Sequence, residues 1–155
     1  MLAALELKIP PVALWLVFAG LAALATWLTP DMRWPPGLAT LVGAIILAEL
    51  GVAAGVLGVW AFHKAATTHH PMHPERTARI VTGGIYRLSR NPMYLGLALV
   101  LAALAVYLRS PLALVAVPAF MAALTRLQIL PEERVLAARF GEDYRAYLAS
   151  ARRWL

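Results

Sequence analysis

The chain has 155 residues, of which 61% are hydrophobic and only 14% charged, and its mean hydropathy is +0.70. That is too little charge to cover a water-soluble domain of this size, and the absence of cysteine excludes disulfides, thiolate metal sites and a cysteine nucleophile. The net charge of +6 suggests nucleic acid as a partner, but the basic residues flank apolar segments and favour lipid headgroups instead. The composition therefore predicts a small polytopic membrane protein that does not bind nucleic acid.

Four apolar segments are candidates for membrane-spanning helices. The first, Pro11 to Leu28, is too long for a cleaved signal peptide and lacks a positively charged start, so we interpret it as a transmembrane helix. The second, Leu38 to Phe62, follows the turn-forming segment Trp34-Pro35-Pro36-Gly37. The third and fourth, Met93 to Leu108 and Leu112 to Ile129, are joined by so short a turn that we expect an antiparallel hairpin. The third is only about 24 Å long and needs a thin bilayer or surrounding protein.

Lysine and arginine are distributed unevenly around these four spans. Five of them lie between the second and third spans and five follow the fourth, whereas the opposite side holds only Arg33 and Arg109. By the positive-inside rule, both termini and the loop of residues 63–91 face the cytoplasm. Because the sequence has neither an internal repeat nor a linker, we expect a single all-α domain over residues 1–155.

The segment after the fourth span predicts an amphipathic helix. Pro131 suits the first helical position, Glu132 and Glu133 suit the first turn, and Gly141 is placed to stop the helix. Apolar side chains form one face before this glycine and another face after it: Val135, Leu136 and Phe140, then Tyr144, Tyr147 and Leu148. We expect this tail to fold over the cytoplasmic mouth of the bundle.

Two polar features on the cytoplasmic side are candidates for a site. Gly83-Gly84 would let backbone approach a ligand closely, and the helix that begins at Pro92 would attract polar ligand groups; a simple turn and a helix cap are the alternative. Glu132 and Glu133 point about 100° apart on a helix, so one can face a cation while the other meets an amide or an arginine. A solvated helix start is the alternative for this pair.

These features together resemble the isoprenylcysteine carboxyl methyltransferase and phospholipid methyltransferase superfamily. The resemblance covers residues 63–155 and rests on four runs: Ile80-Val81-Thr82-Gly83-Gly84-Ile85-Tyr86-Arg87, Ser89-Arg90-Asn91-Pro92-Met93-Tyr94-Leu95-Gly96, Leu130-Pro131-Glu132-Glu133-Arg134 and Arg139-Phe140-Gly141-Glu142-Asp143-Tyr144. Many members have histidine where this chain has Asn91, and a basic residue near Ser150, for which Arg152 and Arg153 are possible substitutes.

The resemblance implies a bacterial inner-membrane methyltransferase that uses S-adenosylmethionine and receives a lipophilic acceptor from the bilayer, without a metal. It assigns catalysis to Glu133, Arg139 and Asn91. It assigns cofactor binding to a set on both sides of the site: Gly84, Ile85, Tyr86, Arg90, Asn91, Pro92, Tyr94, Gly96, Glu132 and Glu133. A non-catalytic membrane scaffold and a related membrane reductase are the alternative functions, and the oligomeric state is open.

Three further features have competing interpretations. The histidines at 63, 69, 70 and 73 suggest a metal, but Pro71 and Pro74 disfavour the helix that would align them. Glu49, near the centre of the second span, is either functional or an interhelical hydrogen-bonding group. Gly51 and Gly55 form a small-xxx-small pattern that favours packing within the bundle over dimerisation.

Overall fold

The structure is a computed structural model that describes residues 5–65, 72, 74 and 79–155. Within these ranges it is helical and contains no strand, which confirms the all-α prediction. Five α-helices follow one another: α1 (Pro11–Leu28), α2 (Leu38–Lys64), α3 (Pro92–Leu108), α4 (Pro111–Leu124) and α5 (Leu130–Ser150). The predicted bounds of the first span are correct, and the second and third extend slightly beyond theirs.

Among the described residues, three helical stretches are long and apolar enough to cross a membrane: α1, α2 and the run from Pro111 to Ser150. Their outward faces carry large aliphatic side chains, such as Leu16 at 60% and Val56 at 60% exposure. Such surfaces are unfavourable in water and suited to lipid tails. The chain is therefore an integral membrane protein.

Helix α3 lies at the centre of the bundle and contacts α1, α2 and α4. It has only 17 residues, and buried positions recur along its length, including Tyr94, Ala98, Leu101 and Ala105. Surrounding helices thus cover most of the shortest span, which is one of the two ways we expected its length to be compensated.

Glycines bring α2 and α3 into direct backbone contact. A Cβ atom at Gly96 would lie 2.5 Å from the carbonyl oxygen of Gly51, and one at Gly51 would lie 2.8 Å from the carbonyl oxygen of Gly96. No larger residue fits at either position without separating the helices. The predicted use of Gly51 in packing within the bundle is correct.

A tight turn joins α3 to α4 in the predicted hairpin. Arg109 ends α3 in the left-handed region, with φ of 59°. Ser110 then caps α4, since its hydroxyl accepts a hydrogen bond from the backbone N–H of Ala113 at 3.3 Å. These two residues reverse the chain with no intervening loop.

The fourth span continues into the tail without a break at Pro131. A π-helical turn, Thr125–Ile129, connects α4 to α5. The prediction that Gly141 stops the first helical stretch of the tail is confirmed: Gly141 adopts a non-helical φ of 54° and ψ of −123°, and a second helical stretch begins beyond it, so α5 consists of two stretches joined at a kink. This kink, which glycine alone adopts readily, lets Tyr144 and Tyr147 join the same buried cluster as Tyr86. We take the fourth membrane crossing as residues 111–129, so that α5 lies outside it.

The polar segments gather at two opposite ends of the bundle. At one end, the backbone N–H of Leu7 donates to Leu127 at 3.0 Å, and Glu6 forms ion pairs with Arg126 and Arg134. The segment 79–91 and α5 lie at this end as well. At the other end, the N–H of Trp34 donates to the carbonyl of Arg109 at 3.0 Å. This arrangement agrees with the predicted grouping of the loops, while the compartment that each end faces stays a prediction.

Candidate functional site

A cavity of about 70 Å³ lies at the end of the bundle where the N-terminal segment meets α5. The end of α2, the segment 79–81, the start of α3, the π-helical turn and α5 all contribute to it. Six of the residues that the resemblance assigns to the site line this cavity: Tyr86, Arg90, Asn91, Tyr94, Glu132 and Glu133. The structure therefore brings together the two halves of the motif region.

Five other predicted residues do not line the cavity. Gly84 is exposed at the start of a short 3₁₀ helix with φ of 60°, and Ile85 packs against the buried tyrosine cluster. Pro92 is buried at the first turn of α3, and Gly96 lies at the α2–α3 contact. Arg139, predicted to be catalytic, is exposed, with its guanidinium carbon 5.7 Å from the centroid of the Phe140 ring.

Glu132 is the buried carboxyl of the site. Its exposure is 8%, and the hydroxyl of Tyr94 donates a hydrogen bond to its Oε1 at 2.5 Å. Burial, together with the nearby charge of Glu133, raises the pKa of Glu132 to about 8 despite the opposing effect of the Tyr94 hydrogen bond. Glu132 is therefore mostly protonated at neutral pH and ready to ionise when a cation approaches.

Glu133 is paired with two arginines. Its Oε1 accepts hydrogen bonds from Arg90 Nη2 at 2.9 Å and from Arg153 Nε at 3.1 Å, and its Oε2 accepts one from Arg153 Nη2 at 2.8 Å. The Arg153 pair is bidentate, the strongest geometry for a guanidinium and a carboxylate. The side chains of Glu132 and Glu133 thus contact different partners, as the angle between them predicts, and Glu133 is the one that pairs with arginine.

Arg90 and Asn91 also hold residues 148–154, which we call the C-terminal segment. Arg90 Nη1 donates to the carbonyls of Leu148 and Ala151, both at 2.8 Å, and the Arg90 backbone N–H donates to Arg152 at 2.9 Å. Asn91 Nδ2 donates to the carbonyl of Arg153 at 3.0 Å and makes no side-chain cap of α3. The motif therefore joins the start of α3 to the C-terminal segment.

Aromatic rings form much of the remaining wall: Phe62, Tyr86, Tyr94, Tyr144 and Tyr147. The Phe62 and Tyr86 rings meet edge to face at 5.5 Å, and the Tyr147 hydroxyl donates to the Tyr86 carbonyl at 2.8 Å. Burial raises the pKa of Tyr86, Tyr144 and Tyr147 far above its usual value, so these rings remain neutral phenols. Electron-rich ring faces beside a carboxyl suit a cationic ligand.

Three residues at the site are not predicted from the sequence: Tyr144, Tyr147 and Arg153. The two tyrosines lie three residues apart beyond Gly141, a spacing that indicates one helical face but not its direction after a kink. Of the two candidate substitutes for the family's basic residue, Arg153 reaches Glu133, whereas the side chain of Arg152 is exposed.

Two other residues that the sequence singles out, Glu49 and His63, do not line the cavity. Glu49 is exposed on the outer face of α2, which contradicts an interhelical hydrogen-bonding role. His63 is exposed near the end of α2, and the histidines at 69, 70 and 73 fall outside the described residues. The question of a metal site in this group therefore stays untested.

Comparison with known proteins gives a family. The profile described as phospholipid methyltransferase matches residues 39–143, about two thirds of the chain, and extends from the second residue of α2 into α5. An uncharacterized protein of Haemophilus influenzae (strain ATCC 51907 / DSM 11121 / KW20 / Rd) is 41% identical over 63 residues, which are 41% of this chain and the whole of that protein. No solved structure matches the chain. On the profile match, the chain belongs to the phospholipid methyltransferase family.

Proposed function

We propose that the chain transfers a methyl group from S-adenosylmethionine to a lipophilic acceptor that reaches the cavity from the bilayer. Family membership supports a membrane methyltransferase in general terms. The observation that carries the cofactor assignment is the buried carboxyl of Glu132, which lies beside Tyr94 in a cavity walled by aromatic rings. A sulfonium is a cation that both kinds of group attract.

The chemistry of the lining fits this cofactor. Glu132 and the tyrosines suit the sulfonium and the ammonium, and Arg79, which also lines the cavity, suits a carboxylate. Arg90 Nε is buried and has no hydrogen-bond partner within the described residues, so a polar ligand group would satisfy it. The volume of about 70 Å³ is well below the roughly 300 Å³ typical of ligand pockets, so binding requires the walls to separate.

The cofactor supplies an activated methyl group, which leaves positioning, exclusion of water and placement of charge to the protein. In our proposal, Glu132 stabilises positive charge, Tyr94 orients Glu132, and Glu133 fixes the two arginines. An ammonium acceptor would first have to lose a proton, which ionised Glu132 can accept. A carboxylate acceptor would instead need orientation by an arginine such as Arg79.

A groove in the bilayer-facing surface supports delivery of a lipophilic acceptor from the side. It lies between α2 and α3, has a volume of about 520 Å³, and is lined almost entirely by apolar residues. Met93 lines both the groove and the cavity, so the two spaces meet at one flexible side chain. We infer that an acceptor's hydrocarbon chain lies in this groove while its polar group enters the cavity beside Met93.

Binding of the cofactor is the decisive test. Calorimetric titration of S-adenosylmethionine and S-adenosylhomocysteine into detergent-purified protein should give saturable binding of both. A screen of membrane lipids with radiolabelled methyl donor should then identify the acceptor class. Absence of binding by either compound to folded protein would contradict the proposal and favour a scaffold role for the motif.

The positive-inside distribution supports a cytoplasmic location for the site. The chain lacks native cysteine, so a single Thr82→Cys variant labels the cavity end and a Met32→Cys variant labels the opposite end. In intact bacterial cells that produce the protein, an impermeant maleimide should modify only the cysteine at position 32. Labelling of position 82 alone would place the site outside and overturn this orientation.

A further inference from the structure

A second cavity, of about 370 Å³ and lined by two arginines, lies at the end of the bundle opposite the candidate site. It is formed by the turn before α2, the first turn of α2 and the end of α3, and its lining contains Arg33, Thr40 and Arg109. These arginines are the basic residues of that end in the described part of the chain. We propose that this cavity binds the phosphate headgroup of an anionic phospholipid in the leaflet opposite the methyl-transfer site.

The guanidinium groups of this cavity have no carboxylate partner among the described residues. Arg33 Nη2 donates to the carbonyl of Thr26 at 3.1 Å, and Arg109 Nη1 approaches the carbonyl of Trp34 at 3.5 Å. These contacts orient the side chains but do not neutralise them, and each guanidinium has five N–H donors. Asp31, close in sequence, does not line the cavity. Two positive charges therefore remain for an external anion.

Other donors converge on the same space. Trp34 Nε1 donates to Thr40 Oγ1 at 3.3 Å, which leaves the Thr40 hydroxyl hydrogen for a ligand. Helix α2 begins after Gly37 without a side-chain cap, so the positive end of its dipole adds to the two arginines. The backbone also fixes Arg109, because its left-handed conformation is held by the bond from its N–H to Val106 and by the bond from Trp34.

The walls favour a lipid over a soluble anion. Pro36, Leu41 and Leu108 line the cavity, and the exposed side chains of Leu38 and Leu41 continue from it onto the outer surface of α2. A phosphate on the arginines would therefore place its acyl chains along α2. The absence of a carboxylate in this lining disfavours zwitterionic headgroups, whose ammonium would lie near two guanidiniums without a partner.

The test measures thermal unfolding of the detergent-purified chain in the presence of phosphatidylglycerol, phosphatidylcholine or inorganic phosphate. Phosphatidylglycerol should raise the Tm saturably, and the other two should not. Arg33→Gln and Arg109→Gln should each raise the apparent Kd about fivefold, and the double variant about 30-fold, since each arginine near a lipid surface contributes about 1 kcal/mol. Arg87→Gln, an exposed arginine at the other end of the bundle, is the matched control and should leave the Kd unchanged.

Equal stabilisation by the two lipids, or an unchanged Kd in the double variant, would overturn the proposal. Saturable stabilisation by inorganic phosphate at least as strong as that by phosphatidylglycerol would also overturn it, in favour of a soluble anion. If Arg109→Gln does not fold, Arg33→Gln and Arg109→Lys decide the question: the first should weaken phosphatidylglycerol binding, and the second should weaken it less than the first. None of these outcomes depends on methyl transfer.

Discussion

The two ends of the bundle use arginine in different ways. At the candidate site, Arg90 and Arg153 converge on Glu133, so their charges are matched within the protein. At the opposite end, Arg33 and Arg109 contact main-chain carbonyls, which leaves their charges for something outside the chain. Arg90 and Arg153 are therefore structural parts of the candidate site, whereas the charges of Arg33 and Arg109 are available to a ligand.

This contrast changes the roles expected of the motif residues. Arg90 and Asn91 look from sequence like ligand-binding groups, yet four of their hydrogen bonds hold the C-terminal segment in place. In our proposal, cofactor binding then rests mainly on Glu132 and the aromatic rings. Variants that remove one partner at a time test this division between structural and ligand-binding residues. The variant with the largest expected effect comes first.

Glu133→Gln should have the largest effect, because it leaves two guanidiniums at the cavity without their carboxylate. We expect a loss of ~2–3 kcal/mol in the free energy of unfolding, together with weaker S-adenosylmethionine binding. Denaturant unfolding in detergent measures the first quantity. Glu142→Gln is the control, since the Glu142–Arg145 pair is exposed and should contribute less than ~0.5 kcal/mol. Equal stability of the two variants would contradict the structural role of Glu133.

Glu132→Gln should weaken S-adenosylmethionine binding by ~1–3 kcal/mol while leaving the protein folded, since it removes a cation partner and no ion pair. The pH dependence gives a sharper result. Because the pKa of Glu132 is raised to about 8, a bound cation must displace a proton below that pH. Affinity in the native protein should then rise as the pH rises toward 8, by at most about tenfold per pH unit.

Calorimetry at several pH values, in buffers of different ionisation enthalpy, measures this proton release. The cofactor also titrates, and the Glu132→Gln variant is the control for that titration. The pH dependence of binding to this variant should lack the part that is due to Glu132. An identical pH profile in the two proteins would contradict a direct contact between Glu132 and the cation.

Tyr94 contributes both a ring and a hydroxyl, and two variants separate them. Tyr94→Leu removes both and should weaken S-adenosylmethionine binding by ~0.5–2 kcal/mol through loss of the cation–π contact. Tyr94→Phe keeps the ring but removes the hydrogen bond that lowers the pKa of Glu132, so the pH of half-maximal binding should move upward. Similar affinity in both variants would exclude the ring as a cation partner.

The groove between α2 and α3 offers the most selective test of lipid delivery. A side chain at Gly55 would project into open space within the groove, since no atom lies within 4 Å of the place that its Cβ would occupy. Gly55→Leu should therefore lower kcat/KM for a lipid acceptor without changing cofactor affinity. Gly43→Leu, on the same helix and equally unobstructed, is the control. Equal activity of the two variants would contradict an acceptor chain in this groove.

Much of the fold follows from the sequence because a bilayer restricts the alternatives. Unbroken apolar runs must be helices, and the short turn after Leu108 leaves only an antiparallel hairpin. The assignment of Gly96 to the cofactor overlooked the backbone of Gly51, which lies across a helix contact that apolar periodicity does not specify. Arg139 is a motif residue that is exposed on α5 and does not line the cavity, which its place in the motif did not indicate.

The cavity itself was harder to predict because its parts are distant along the chain. Tyr94 and Glu132 are 38 residues apart, and Arg90 and Leu148 are 58 apart. The π-helical turn rotates α5 relative to α4, and the residues of this turn do not predict that rotation. Sequence patterns indicated which residues are polar and on which end they lie, but not which of them touch.

The pairing of Glu133 with Arg153 also makes the last described residues of the chain part of the candidate site. Arg153 is the bidentate partner of Glu133, and the carbonyl oxygen of Ala151 accepts a hydrogen bond from Arg90 Nη1. Proteolytic loss of residues 151–155 would therefore remove both contacts at once, although every membrane-spanning helix would stay intact.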